Sequence, residues 1–428
     1  MTARIPAGAQ ATAGVRPHEH AARPRIVVFS SLFPSSVQPN AGLFVRERLF
    51  RVGARLPISV VAPTPWFPLQ KLLRRWKPHF RPGAPAHEVQ RGVDVWYPRF
   101  FSLPGVAKQF DGIAMALCAY PRLKRLQREG RLDLIDAHFG YPDGYAAVKL
   151  GIWLGVPVTI TLRGTEVRHA QDPALAPLLR TALEGAAKVF AVSESLKRVA
   201  VDLGISPSKI EVVGNGVDAD KFRPLDRKKA RAELAIDDDA PVLISVGALV
   251  ERKGFHRVIE LLPELRKRWP KLLYLVVGGS STEGNNRAEL EALVERLDLK
   301  SAVRFMGALP PDQLSTPLSA ADVFVLSTSN EGWANVFLEA MACGLPVVTT
   351  DVGGNREVVN DDELGIIVPF GDRAALSGAL QDALTTEWSR ERIRQYAESN
   401  SWDERVGRLC ANFAALGAPG STATERRT

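Results

Sequence analysis

Residues 326–354 read L-S-T-S-N-E-G-W-A-N-V-F-L-E-A-M-A-C-G-L-P-V-V-T-T-D-V-G-G. The stretch opens on the end of a continuously apolar run and passes through a polar loop to Glu331 and Gly332. A helical pattern then starts near Ala334 and stops at Gly344, and a second apolar run, 346–349, follows at once. Strand, loop, helix and strand in so short a span form the repeating unit of a parallel sheet, whose strands are buried on both faces and read as unbroken apolar runs instead of alternation. The spacing also carries chemistry. The backbone N–H groups of Trp333, Ala334, Asn335 and Val336 fall at a helix N-terminus, where about half a unit of positive charge favours a phosphate. Glu331 stands in the loop at the carboxyl end of the strand, and Glu339 about one turn into the helix. A carboxylate beside a bound phosphate can accept hydrogen bonds from both cis hydroxyls of a ribose, and one in the loop can hold hydroxyls of a second sugar.

The same alternation continues outward. Apolar runs at 26–30, 57–62, 93–97, 132–137, 156–161 and 187–192 form one series, and runs at 242–247, 272–277, 302–305, 323–326, 346–349 and 365–368 form a second. Two series predict an α/β fold of two doubly wound, Rossmann-like domains. Gly, Asn and Pro gather between them at 210–224, the composition of a linker. The expected domains are 25–215 and 216–400, with a helix at 401–416 packing back on the first domain. The ends, 1–24 and 417–428, read as a disordered leader and tail. Ligands of open α/β sheets bind beyond the carboxyl ends of the strands, so two facing sheets aim their loops into one interdomain cleft.

With 428 residues, 46% hydrophobic and 24% charged, the chain has the make-up of a globular protein, which excludes collagen, a coiled coil and wholesale disorder. The apolar run 150–162 is broken by Gly151, Gly155 and Pro157, and falls short of the ~18 residues of a spanning helix. Cys118, Cys343 and Cys410 form no C-x-x-C pair, which argues against a disulfide framework and a zinc site and for a reducing cytoplasm. The run Asp237, Asp238, Asp239 is expected in a surface turn, so no metal site is predicted there. The net charge of +8 hides a division: residues 1–215 hold 29 basic and 15 acidic side chains, and residues 216–428 hold 26 and 32. The halves are therefore +14 and −6, and a basic half suits an anionic partner. Within it, W-F-P-L-Q-K-L-L-R-R-W-K-P-H-F-R, from Trp66 to Arg81, mixes aromatic residues with five basic ones and no acid. It reads either as a segment resting on an anionic membrane surface or as a solvated loop over the cleft. Nucleic acid is not an expected partner, because the basic residues carry no recognised motif or repeated aromatic platform.

Glu331 and Glu339, eight residues apart and followed by A-M-A-C-G-L-P-V-V, resemble the Glu-x7-Glu signature of retaining glycosyltransferases of the GT-B fold, family 4. V-G-N-G-V-D (213–218) resembles that family's interdomain linker, and S-V-G-A-L-V-E-R-K-G (245–254) its phosphate-binding loop. L-F-P-S-S-V-Q-P-N-A-G-L-F-V-R-E-R (32–48), D-A-H-F-G-Y-P-D-G (136–144) and T-L-R-G-T-E (161–166) resemble its amino-terminal loops. The resemblance assigns Lys253 to the donor diphosphate, Glu331 to the donor sugar, Glu339 to the ribose, and Gly42 to a loop closing over the diphosphate. It places His138 in the cleft near the reacting carbon, while its position at the end of a buried strand also fits a core histidine hydrogen-bonded to backbone. Where the family often carries an arginine five residues before the lysine, this chain has Ala248, and Arg252 is the neighbouring cation. Arg163 and Glu166 stand where many members have His-Gly-x-Asp, as cleft residues or as a structural ion pair.

What the resemblance implies is transfer of a glycosyl unit from a UDP- or GDP-linked sugar to the hydroxyl of a sugar or lipid-linked acceptor. Anomeric configuration would be retained and no metal or other cofactor required. The setting would be cell-surface polysaccharide or glycolipid synthesis, in the cytoplasm or on the inner face of the membrane. No nucleophile stands out, so the expected route is attack on the face from which the phosphate departs, with that phosphate taking the acceptor's proton. An epimerase or phosphorylase on the same scaffold, or a catalytically silent nucleotide-sugar-binding subunit, would share the donor side. A dinucleotide oxidoreductase would not, because I-V-V-F-S leads into S-L-F-P-S-S and not into G-x-G-x-x-G.

Overall fold

A computed structural model describes residues 23–417 apart from 40, 69, 77–82 and 282. The expected leader and tail therefore lie almost wholly outside the described residues, as do Lys77 and Arg81 of the basic segment. Two sheets organise the chain. The first has eight strands in the order Ile210–Val212, Lys188–Ala191, Val158–Leu162, Leu134–His138, Ile26–Phe29, Ile58–Val61, Val93–Trp96 and His87–Gln90. All its neighbours are parallel except the last pair. The second has six strands, all parallel, in the order Val303–Gly307, Leu273–Val277, Val242–Val246, Val323–Leu326, Val347–Thr350 and Gly365–Val368.

The unbroken apolar runs follow from burial on both faces. In the first sheet Val27 and Phe29 join one core cluster while Ile26 and Val28 join another on the opposite face. In the second, Ile244 and Phe324 face one cluster and Leu243 and Val325 the other. Each apolar run of the sequence holds a strand. The strands it did not announce lack the double-buried signal. Thr64–Trp66 and Arg99–Phe101 form a separate three-residue pair with Trp66 opposite Phe101. His87–Gln90 is a partly exposed, antiparallel edge, and Ile210–Val212 is three residues read as linker.

The closing helix, Trp402–Gly417, buries Trp402, Val406, Leu409 and Phe413, a spacing that lines one helical face. That face lies in the cluster of Ile26, Val28 and Leu49, and the Phe413 ring meets Phe190 of the first sheet edge-on at 6.0 Å. To reach it the chain recrosses beside the linker: Val217 and Ser401 form a parallel bridge, and the Val217 N–H donates to the Asn400 carbonyl at 3.1 Å. Among the described residues no helix is long and apolar enough to cross a membrane.

Candidate active site

Loops from the carboxyl ends of both sheets wall a shared cavity of about 680 Å³. On the side of the second sheet, Val323–Leu326 leads through a polar loop into the helix Asn335–Ala342. Ala334 caps that helix without a side-chain hydrogen bond, so its leading N–H groups remain for a ligand. Trp333, Ala334, Asn335 and Val336 all line the cavity, as do Glu331 and Glu339.

Lys253 arrives from a short turn, Glu251–Lys253, that follows the strand Val242–Val246. The next residue must be glycine: Gly254 has φ +75°, and a Cβ there would lie 2.1 Å from the Ser327 carbonyl oxygen. The Lys253 ammonium donates to Glu331 Oε1 at 2.5 Å, and Arg252 Nη1 donates to the same oxygen at 3.1 Å. Arg252 also grips Glu283 through two hydrogen bonds of 2.9 and 2.8 Å, which hold the Glu283 carboxyl below its usual range. Glu339 makes no hydrogen bond or ion pair among the described residues. Burial pushes its pKa up to about 7, against the pull of Lys221.

On the side of the first sheet, Arg163 follows the strand Val158–Leu162 and lines the cavity. Its Nε donates to His138 Nδ1 at 3.0 Å, its Nη1 donates to Asn215 Oδ1 at 3.3 Å, and its guanidinium stacks over Phe44 at 5.2 Å. His138 is wholly buried behind it. The expectation that His138 stands in the cleft is therefore corrected: its ring touches Arg163 and, 3.2 Å away through Nε2, Asp136. That second contact is not aligned as a hydrogen bond. Burial drives the imidazole pKa down to about 4, so the ring is neutral and accepts through Nδ1.

Glu166 is structural, but not as an ion pair. Its carboxylate accepts the backbone N–H groups of Gly140, Arg163 and Gly164 at 2.8, 3.0 and 2.7 Å, tying two loops together. Gly42 stands outside the cavity wall, where Leu32 and Phe44 lie instead. It has φ +69° at the start of the helix Leu43–Gly53, pressed against the Leu32 carbonyl.

Several wall residues escaped the sequence reading, among them Asn215, Glu283 and Arg168. Asn215, an amide between two glycines of the linker, accepts from Arg163 and donates to Asn335 Oδ1 at 2.9 Å, which joins the His138 cluster to the helix N-terminus. Its position between glycines was the available signal. Glu283 had none, since it reaches the cavity from a distant loop, and Arg168 stands on the helix Thr165–Gln171, two residues beyond Glu166. The two sides meet where Gly332 faces Arg163: a Cβ on Gly332 would lie 2.5 Å from the Arg163 carbonyl oxygen. Among the described residues no group of three or more His, Cys, Asp or Glu is placed to hold a metal. Asp239 of the acidic run pairs with Lys271 at 2.8 Å.

The chain matches the family model Glycosyltransferase Family 4 over residues 79–221 and Glycosyl transferases group 1 over residues 226–400. A D-inositol 3-phosphate glycosyltransferase from Acidothermus cellulolyticus is 31% identical, over 74% of this chain and 75% of its own. The chain is a family 4 glycosyltransferase. Another relative of this glycosyltransferase, named for teichuronic acid biosynthesis in Bacillus subtilis, is 28% identical over 82% of this chain and 87% of its own. The fold is that of solved GT-B enzymes. Sucrose-phosphate synthase from Thermosynechococcus elongatus superposes with a TM-score of 0.74 at 22% identity, covering 92% of the glycosyltransferase and 99% of the synthase. Anabaena HepE, solved in complex with UDP, gives 0.66 at 19% identity, covering 92% and 100%.

Proposed function

We propose that this glycosyltransferase takes its glycosyl unit from a UDP- or GDP-linked sugar and passes it to a sugar or lipid-linked acceptor hydroxyl with retention of anomeric configuration. The observation that carries the reading is the convergence on one cavity of an uncapped helix N-terminus, Lys253 and the unpaired Glu339 carboxylate. The helix end and Lys253, with Arg252 beside it in place of the arginine missing at Ala248, neutralise a diphosphate and the charge that grows on it as the glycosidic bond breaks. Glu339 accepts the ribose hydroxyls. Glu331 faces the sugar from its place beside Lys253. With no side chain set aside as nucleophile, the departing phosphate takes the acceptor's proton on the face it leaves. Lys253, Arg252 and the helix end supply the positive charge that a metal would bring, so no metal is required. The relative named for teichuronic acid biosynthesis supports a place in cell-surface polysaccharide or glycolipid synthesis.

The acceptor side carries exposed Trp66, Leu72, Leu73 and Phe101, with Arg74 and Arg75 on the helix Gln70–Trp76. Apolar side chains among basic ones suit the surface of an anionic bilayer, which would place the enzyme on the inner face of the membrane. Vesicles with and without phosphatidylserine test this: salt-sensitive binding to the anionic ones alone is expected, and binding that ignores lipid charge overturns it.

A panel of nucleotide sugars, assayed with and without EDTA and with the product's anomeric configuration read by NMR, tests the reaction. Transfer with retention, unaffected by EDTA, is expected. An inverted product overturns the same-face route, and loss of transfer in EDTA overturns the metal-free reading.

A further inference from the structure

Four cationic side chains line the cavity: Arg163, Arg168, Arg252 and Lys253. The last two are matched by Glu283 and Glu331 on their own side. Arg163 and Arg168, on the opposite side, make no direct ion pair among the described residues; Asp136 and Glu166 act on Arg163, and Glu283 on Arg168, only from farther off.

Arg163 is the more telling of the two. Its side-chain hydrogen-bond partners are a neutral imidazole and a neutral amide. Its Nη2 is buried with no acceptor at all. Burial pulls its pKa well below the ordinary arginine value. A guanidinium removed from water with donors left over is destabilising, and Phe44, His138 and Asn215 nonetheless hold it in place from three directions. It also stands at the sugar end of the cleft. Its carbonyl abuts Gly332, the neighbour of Glu331, while the charges of a diphosphate are already answered by Lys253, Arg252 and the helix N-terminus.

We propose that the cleft selects an anionic sugar, whose carboxylate or phosphate docks on the spare donors of Arg163 with Arg168 at its outer side. The inference rests on the reading that a nucleotide sugar occupies this cavity, and it adds the charge of the sugar to that reading. Guanidinium suits such a group because its planar N–H fork meets two oxygens at once. The anion could belong to the transferred unit or to the acceptor, and the two sources separate experimentally.

In the donor arm, calorimetry compares UDP-glucuronic acid with UDP-glucose, or GDP-mannuronic acid with GDP-mannose if the guanine nucleotide binds more tightly. In the acceptor arm, glucose 6-phosphate is compared with glucose in the presence of the saturating nucleoside diphosphate. The charged member of one pair is expected to bind about tenfold or more tightly than its neutral partner, the margin of leaving a buried donor unpaired. Arg163→Gln should erase that margin and weaken the nucleoside diphosphate alone by much less, while Arg163→Lys should keep part of it. The proposal is overturned by wild-type protein that shows no margin in either arm, which requires no variant to fold. It is also overturned by a margin that survives Arg163→Gln, or by equal weakening of the bare nucleoside diphosphate, which would assign Arg163 to the diphosphate. Failure of every nucleotide and nucleotide sugar to bind would instead overturn the reading of the cavity, and this inference with it.

Discussion

The Lys253 ammonium lies 2.5 Å from Glu331 Oε1, and Arg252 Nη1 lies 3.1 Å from that same oxygen. A diphosphate approaching these cations competes with a carboxylate for them. On the proposed reading, substrate binding at this site would be an exchange of partners, with phosphate replacing Glu331 and Glu331 released toward the sugar.

Glu331→Gln removes the competitor. Affinity for UDP or GDP should rise about threefold, in keeping with the ~0–1 kcal/mol of a partly solvated ion pair, while glycosyl transfer falls. Titration calorimetry beside a transfer assay reads both. Tighter nucleotide binding with slower transfer is the expected signature, and weaker binding would mean that Glu331 itself holds the nucleotide.

Lys253→Ala should act mainly on turnover. A cation aimed at charge that develops in the transition state typically contributes about a hundredfold or more, so kcat is expected to fall by that order with a smaller change in the KM for donor. A raised KM at unchanged kcat would reassign Lys253 to ground-state binding.

On the proposed reading, Glu339 ties nucleotide affinity to pH. Its carboxyl titrates at about 7 in the folded chain, against 4.5 for the group in water. Between those values the folded state holds the extra proton, so this group's contribution to stability falls as pH rises through the window and is fully unfavourable above about 7. Ribose hydroxyls donate to the ionised form, so nucleotide affinity should weaken as pH drops below about 7. Glu339→Gln is expected to raise Tm at pH 8 by a few degrees, with a smaller gain at pH 5.5, and to flatten the pH dependence of nucleotide binding. Thermal melts at the two pH values, with and without nucleotide, check all three.

How much of this was legible in the sequence depends on how far apart the cooperating residues lie along the chain. Glu331, Glu339 and the helix N-terminus sit within one strand–loop–helix unit, so local pattern placed them, while Lys253 was placed by the family resemblance of its loop. His138 ends a strand, Arg163 and Asn215 stand in two separate loops, and the three meet only through the order of the first sheet. No spacing rule announces that Arg163 would stand in front of His138, or that Glu166 would bond to backbone and not to the neighbouring guanidinium. In the fold, strands buried on both faces were plain, because burial forbids polar interruptions. Edge pieces such as His87–Gln90 were not, because one solvated side restores polar residues to the pattern.

Gly332→Ala probes the contact between the two sides. The added Cβ would meet the Arg163 carbonyl oxygen at 2.5 Å, backbone that cannot rotate away, so the loops must separate. A fall of about tenfold in kcat/KM is expected from a misplacement of the reacting groups by a fraction of an ångström, with Tm little changed because neither core is touched. Steady-state kinetics and a melting curve distinguish this from general destabilisation.

Phe413→Ala tests whether the closing helix is part of the first core. Truncating this buried ring should cost about 3–5 kcal/mol, read from denaturant unfolding. A loss under about 1 kcal/mol would mean that the helix can leave the first sheet without consequence.

The parallel bridge between Val217 and Ser401 also sets how the two halves can move. Because the chain crosses from one to the other twice, at adjacent points, neither half hangs on a single flexible tether. Two adjacent connections restrict the relative placement of the halves more than one flexible tether would. Any relative motion of the two halves must therefore be carried by both crossings together, and the contact of Gly332 with Arg163 lies on that same boundary.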